Sequence, residues 1–216
     1  MTMKRRKVSI RSIERLSIYR RALLQQRDEL GPSVYSHELA HACQLTAAQV
    51  RRDLMAIGYS GNPNSGYDVK RLLTSLGTFL DSPEGQAVAI VGMGYLGRAI
   101  AAYLTSWSRS IRLAAAFDVD PEKIGVDFVG VRCHPIAEMA RVFADKHIEI
   151  AIITVPSEQA QLVAEQLVAA GITGILNFAP VILRLDERIF VENIDMTVSL
   201  EKVGFFARGN QRVKRR

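Results

Sequence analysis

Residues Ala87–Leu104, AVAIVGMGYLGRAIAAYL, decide the fold. The apolar run Ala87 to Val91 reads as a buried strand, Gly92-Met93-Gly94-Tyr95-Leu96-Gly97 follows as a glycine loop, and the Ala-rich stretch after it reads as a helix. Three spaced glycines alone mean little. Here a second apolar strand, Leu113 to Phe117, ends in Asp118, 21 residues beyond Gly97. Strand, glycine loop, helix, strand and terminal acid form the start of a Rossmann unit. Gly92 and Gly94 let the backbone turn and approach a pyrophosphate, and Gly97 lets the helix pack on the strand. The helix N-terminus supplies partial positive charge. Met93, Tyr95 and Leu96 complete the loop. Asp118 is expected to accept hydrogen bonds from the adenosine ribose hydroxyls. A carboxylate there repels a 2′-phosphate, which favours NAD(H), as NADH or NAD+, over NADP(H).

Working towards the carboxyl end, Ile148 to Val155 reads as another buried strand, ending at Val155-Pro156-Ser157 where a helix carrying Ala160 and Gln161 begins. Gly171 stops that helix, Gly174 to Asn177 is a strand, and Phe178-Ala179-Pro180 leaves it. Ligand contacts in a doubly wound sheet gather at the carboxyl ends of strands, so Val155, Pro156, Asn177 and Phe178 are expected to border the nicotinamide half of the cofactor. A largely apolar lining disfavours the cationic oxidised ring and accepts the neutral reduced one. A dehydrogenase would need a proton donor and a substrate domain. His134 and His147 lie outside the strand-end positions and read as surface residues, so no catalytic residue is assigned and the chain is expected not to be an enzyme.

Working towards the amino end, Asp81 to Gly85 reads as an interdomain break, giving a first domain over 1–80, a Rossmann domain over 85–195 and a last segment over 196–216. Charge is unevenly divided: residues 1–80 carry 13 Lys+Arg against 6 Asp+Glu, whereas 81–216 carry 15 against 16. A basic first domain suits a phosphate backbone. Arg11 to Gln26 presents Ile13, Leu16, Tyr19, Leu23 and Leu24 at helical spacing, and Gly31-Pro32 ends the segment. A short second helix starts at Ser36 as N-cap, shows Leu39, Ala40 and Cys43 on one face, and stops near Gln44. The third begins with a Thr46/Gln49 capping box and a Leu45/Val50 staple, buries Val50, Leu54 and Ile57, and stops at Gly58. Gln49, Arg51 and Arg52 are left outward. Three helices with a tight second turn make a helix-turn-helix, whose third helix enters the major groove. Arg reads guanine and Gln adenine. Tyr59 to Tyr67, dense in turn formers, reads as a wing. Thr46, Gln49, Arg51, Arg52, Gly61 and Tyr67 are therefore the DNA-contact candidates, with Lys4 and Arg5 of the basic arm.

The remaining composition narrows the class. With 48% hydrophobic and 23% charged residues the chain is of ordinary globular type, and no apolar run approaches the roughly 20 residues of a membrane span. Together with the lack of an apolar leader, this predicts a cytoplasmic protein. Cys43 and Cys133, far apart, suit a reducing compartment and small core positions. His37-Glu38-Leu39-Ala40-His41 matches H-E-x-x-H, but the helix is short and no third ligand follows at an established spacing, so no metal is expected.

With QVRRDL at 49–54, GMGYLG at 92–97, FDVD at 117–120, TVPSEQAQ at 154–161, GILNFAP at 174–180 and NIDMTVSLE at 193–201, the chain from about Leu16 to Phe206 resembles the Rex family of redox-sensing transcriptional repressors. The resemblance implies an α/β protein with an N-terminal winged helix-turn-helix domain, a C-terminal NAD-binding Rossmann domain and a domain-swapped C-terminal helix over Thr197 to Ala207. It implies a homodimer that binds a pseudo-palindromic DNA operator and is released by NADH. It also implies a switch in which Asp195 exchanges between Arg15 of the first helix and Tyr103 after the glycine-loop helix. The wing departs from the family pattern, since Ser60 to Ser65 holds no Lys or Arg; the arm Lys4-Arg5-Arg6-Lys7 is expected to substitute. Gly209 to Arg216 is expected to be a disordered basic tail. A rival reading is a small NAD-dependent oxidoreductase with a basic oligomerisation domain. A third keeps the regulator but gives it another nucleotide, such as a coenzyme A derivative.

Overall fold

The computed structural model describes residues 8–25, 31–62, 64–107 and 110–213, which divide into two compact units, Met1–Glu84 and Gly85–Arg216. Lys4 and Arg5, with the rest of the arm, and the end of the basic tail lie outside the described residues.

The first unit is a helical module built on α1 (Ile10–Gln25), α2 (Ser36–Ala42), α3 (Ala47–Ala56) and α4 (Val69–Leu80), with β1 (Ser33–Val34) paired antiparallel to β2 (Tyr67–Asp68). Leu16, Tyr19 and Leu23 of α1 pack with Leu39, Val50, Leu54, Leu72 and Leu76 into one core. Ile13 and Leu24, expected on that face, are instead exposed, because the buried stripe runs through Leu16, Tyr19 and Leu23 and they lie beside it. The fourth helix and the β1–β2 pair go beyond the three-helix expectation. Asp68 starts α4 by accepting from the Arg71 N–H at 2.7 Å. Ser36 is not an N-cap but the first residue of α2. Tyr35 caps it, its N–H donating to Glu38 Oε2 at 2.7 Å. Of the Thr46/Gln49 box only half forms: Thr46 Oγ1 accepts from the Gln49 N–H at 3.2 Å, while the Gln49 amide turns to Asp53. The wing closes through paired Asn62 and Gly66 backbone bonds, each 2.8 Å.

The second unit is a seven-stranded sheet in the order β5-β6-β4-β3-β7-β8-β9, from β3 (Gln86–Val91), β4 (Ile111–Asp118), β5 (Asp127–Phe128), β6 (Val131–Pro135), β7 (Ile150–Ile153), β8 (Gly174–Asn177) and β9 (Phe190–Asn193). All pairings are parallel except β5 with β6. The chain starts at the centre in β3, builds outwards to β5, then returns to β7 on the other side, so a topological switch point opens between β3 and β7. Helices α5 (Tyr95–Trp107), α6 (Met139–Lys146) and α7 (Ser157–Ala169) accompany the sheet, and α8 (Met196–Val213) ends the unit. Two apolar layers cover it, one around Phe117, Phe143 and Ile153, the other around Ile90, Met93 and Ile152.

Three expectations change here. The third Rossmann strand is shorter than Ile148–Val155; Ile148 is buried but precedes it. His134 is no surface residue: it packs against the Phe117 ring at 5.7 Å with its side chain 15% exposed, and burial pushes its pKa down. His147 does stand exposed, as the left-handed cap of α6. Finally, residues 209–213 belong to α8 rather than to a disordered tail.

Gly97 marks the tightest approach in the unit. A Cβ there would meet the Gly92 carbonyl oxygen at 2.0 Å, whereas one on Gly94 would meet nothing within 4 Å. Gly97→Ala is therefore expected to destabilise the protein by at least about 1–3 kcal/mol, and Gly94→Ala by less than about 1 kcal/mol. Thermal unfolding of the two variants checks this contrast.

Candidate functional site: a dinucleotide cradle and a DNA-reading helix

Val91, Phe117, Ile153 and Asn177 stand in register at the carboxyl ends of their strands. The ladder continues one row further: Gly92 N–H donates to Phe117, Thr154 N–H to Val91, Phe178 N–H to Ile153 and Ile194 N–H to Asn177, at 2.8 to 2.9 Å. The glycine loop, the Thr154–Ser157 turn, Phe178 and the start of α8 therefore share one edge. Gly92 has φ 98°, which a side chain resists, and leads into α5. The first turn of α5 leaves N–H groups with no partner inside the helix, and a side chain on Gly94 would meet nothing within 4 Å. A pyrophosphate fits that cradle.

Asp118, 7% exposed, fastens the loop. Its Oδ2 accepts from the Met93 N–H at 2.7 Å and from Lys123 Nζ at 3.1 Å, and its Oδ1 from the Asp120 N–H at 3.0 Å. Burial pushes this carboxyl up, but those bonds outweigh it and hold it below the ordinary range. Oδ1 retains capacity for a ribose hydroxyl. Thr154, missed in the sequence, donates to the Gly92 carbonyl at 2.7 Å and fixes the loop from the other side. Tyr95 and Leu96 are exposed, while Met93 is buried. Val155 and Phe178 are half-buried and Pro156 exposed. Asn177 ends β8 in the row of strand ends. It is fully buried, its amide donating to the carbonyls of Ala179 and Val181 and to Asn193 Oδ1, so it braces the β8–β9 end.

In the first unit, Arg51 and Arg52 are exposed on α3, Thr46 caps it, and Gln49 is half-buried. Arg51 Nη1 donates to Ser36 Oγ at 3.0 Å. Tyr67 is buried, and its ring lies where a Gly61 Cβ would be, at 2.6 Å, so it seats the wing rather than reaching outward. Tyr35 OH donates to the Asn64 carbonyl at 2.9 Å and ties the wing to α2. The group that sequence reading missed altogether is Asp53, 2% exposed on α3. It accepts from Arg15 Nε at 2.6 Å and Nη2 at 2.8 Å, from Tyr19 OH at 2.9 Å and from Gln49 Nε2 at 3.2 Å. Arg15 thus already has a carboxylate partner. Tyr103 lies within α5, not after it, and Asp195 caps α8 by accepting the N–H groups of Thr197 and Val198 at 2.8 and 3.0 Å. Among the described residues no three His, Cys, Asp or Glu gather as a metal group, and no helix is long and apolar enough to cross a membrane.

Two family models match: "Putative DNA-binding protein N-terminus" over residues 7–54 and "CoA binding domain" over 84–181. The redox-sensing transcriptional repressor Rex of Chloroflexus aurantiacus is 41% identical over 194 residues, 90% of this chain and 92% of that protein. That of Brevibacillus brevis is 36% identical over 203 residues, 94% of this chain and 98% of that one. The chain belongs to the Rex family of redox-sensing transcriptional repressors. Its fold matches RSP, a Rex-family repressor, solved with NADH (TM-score 0.83, 97% of this chain and 98% of that one) and with NAD+ and operator DNA (0.85, 100% and 97%), each at 30% identity. This Rex-family chain is accordingly a winged-helix module followed by a Rossmann domain.

Asp53 joins α1 to α3 in the Rex-family module. Burial pushes its carboxyl up, but the bonds from Arg15, Tyr19 and Gln49 prevail and lower it. Asp53→Ala strands Arg15, and is expected to cost about 3 kcal/mol or more in chemical denaturation. Because the folded pKa is depressed, this stabilisation is present above about pH 4, the ordinary carboxylate value, and fades as pH falls through the lowered one. The acid limb of the stability curve should therefore flatten in Asp53→Asn.

Proposed function

We propose that this protein is a homodimeric, NADH-sensing repressor: the winged-helix module binds a pseudo-palindromic operator, and NADH in the Rossmann cradle releases it without being consumed. The observation that carries this is the whole-length likeness to a repressor solved with NADH and with NAD+ and operator DNA. The cradle's chemistry supports the ligand. The glycine loop and α5 N-terminus would hold the pyrophosphate, Asp118 the adenosine ribose, and Val155, Pro156 and Phe178 would border the nicotinamide. The cofactor's chemistry when bound is hydride exchange, but Thr154, Val155 and Phe178 at the ends of β7 and β8 offer no acid or base for it, which supports binding without turnover. Operator binding puts the site of action in the cytoplasm.

The dimer is supported by α8, whose Met196, Leu200, Val203, Phe205 and Phe206 are each at least 60% exposed. An apolar helix of this kind calls for cover by a second copy, in a swapped arrangement. Asp195 opens that helix on the edge it shares with the glycine loop, so cofactor binding can bias it. In the proposed switch it exchanges between Arg15 and Tyr103. Asp53 and Ser12 engage the Nε and Nη2 side of Arg15, which leaves Nη1 for a second carboxylate.

The "CoA binding domain" match favours a second ligand, coenzyme A, over the same cradle. Its ribose phosphate would face the Asp118 carboxylate, which argues for NADH. Nicotinamide fluorescence titrated with NADH and challenged with coenzyme A decides between them, and chromatography of the recovered nucleotide tests turnover; consumed NADH would restore the oxidoreductase reading. Gly94→Ala is expected to weaken NADH at least tenfold while operator footprints persist. Asp195→Ala is expected to keep both affinities within a few-fold and to lose their coupling. Undiminished coupling in that variant would refute the switch.

A further inference from the structure

α3 buries Val50, Asp53 and Leu54 and turns Ala48, Arg51, Arg52 and Met55 outward. Met55 is 62% exposed and follows Arg51 by one helical turn, so a long apolar side chain stands in line with two guanidinium groups. Arg51 and Met55 also line one cleft of about 350 Å³, together with Gly61, Asn62 and Tyr67 of the wing and with Tyr35. None of the residues lining the cleft is acidic. Its walls are fixed: Tyr35 OH holds the Asn64 carbonyl at 2.9 Å, the Tyr67 ring fills the space beside Gly61, and Ser36 holds Arg51 at 3.0 Å. A helix that presents two cations and, in line with them, an exposed apolar side chain at the edge of a cleft free of acidic lining suits one feature of a DNA major groove. The thymine C5-methyl is the apolar group that base edges present there.

We propose that Met55 is a specificity-determining residue that reads a thymine C5-methyl group beside the base pair read by Arg51. The inference rests on the proposed DNA-binding function of this module. Arg51 and Met55 are separated by a rise of about 6 Å along the helix, and successive bases by about 3.4 Å, so the thymine lies one or two steps from the base that Arg51 contacts. In a dimer the contact occurs once in each half-site. Met55 supplies sequence preference at a position where the polar side chains of α3 supply none. Its exposure also means that substituting it leaves the module's core untouched.

The test uses the full-length protein and its footprinted operator, with thymines replaced one at a time by deoxyuridine, which removes only the methyl group. Wild type should lose about fourfold in affinity per half-site at one thymine, the value of one buried methyl-sized group. Met55→Ala should lose at least that factor on thymine DNA and nothing further on the deoxyuridine duplex, while Met55→Leu should restore sensitivity to the methyl. A wild type indifferent to every replacement, or a Met55→Ala protein as sensitive as wild type, would overturn the assignment while leaving operator binding intact. A wild type that does not prefer the operator to random duplex would overturn both this assignment and the repressor reading beneath it. Nicotinamide fluorescence of Met55→Ala with NADH should match wild type, since the residue lies in the other unit.

Discussion

The row of backbone hydrogen bonds just beyond the parallel strands is the constraint on which the Rossmann unit's functional geometry depends. Gly92, Thr154, Phe178 and Ile194 each donate to the strand beside them at 2.8 to 2.9 Å, so four loops distant in sequence leave the sheet at one edge. A parallel sheet dictates this: strands that run the same way end on the same side, and the loops that leave them must meet there. The consequence is functional. The glycine loop proposed to cradle a pyrophosphate and the aspartate that opens the final helix share an edge because the register of β3, β7, β8 and β9 leaves them no other place.

Two buried carboxylates then do for each unit what backbone ladders cannot. Asp118 clamps the Met93 amide and so fixes the glycine loop, with Thr154 gripping the same loop from the opposite side. Asp53 gathers Arg15, Tyr19 and Gln49 and so ties α1 to α3. In both cases burial alone would raise the carboxyl's pKa, and in both the donors around it more than compensate. A carboxylate held in this way is a stiff joint. At Asp53 it connects Arg15, one of the three residues offered for the switch, to the helix offered for DNA, through a single side chain.

Much of this was legible in the sequence wherever the signal is local. The glycine spacing, the apolar strands and the terminal Asp118 lie within a short stretch and carry their context with them; the Thr46 cap and the buried face of α3 are likewise set by near neighbours. Contacts between distant segments were not legible. Asp53 sits beside Arg51 and Arg52 in a helix and reads as a solvated charge, and only the fold brings Arg15 and Tyr19 to it. Tyr35 has no mark of a wing tether, and Asn177 none of a brace. The fourth helix is a different kind of case, since its signal is local: Asp68 followed by Val69, Leu72 and Leu76 is a cap and an apolar stripe. Of His134, its burial against Phe117 follows from the pairing of β6 with β4, which no spacing reveals.

The central claim is that the redox state of one dinucleotide decides whether DNA stays bound. Fluorescence anisotropy of the protein on a promoter fragment from its own genome, titrated separately with NADH and NAD+, tests it most directly. The account predicts that NADH releases the DNA at concentrations where NAD+ leaves it bound; DNA that stays bound under both, or leaves under both alike, would contradict it.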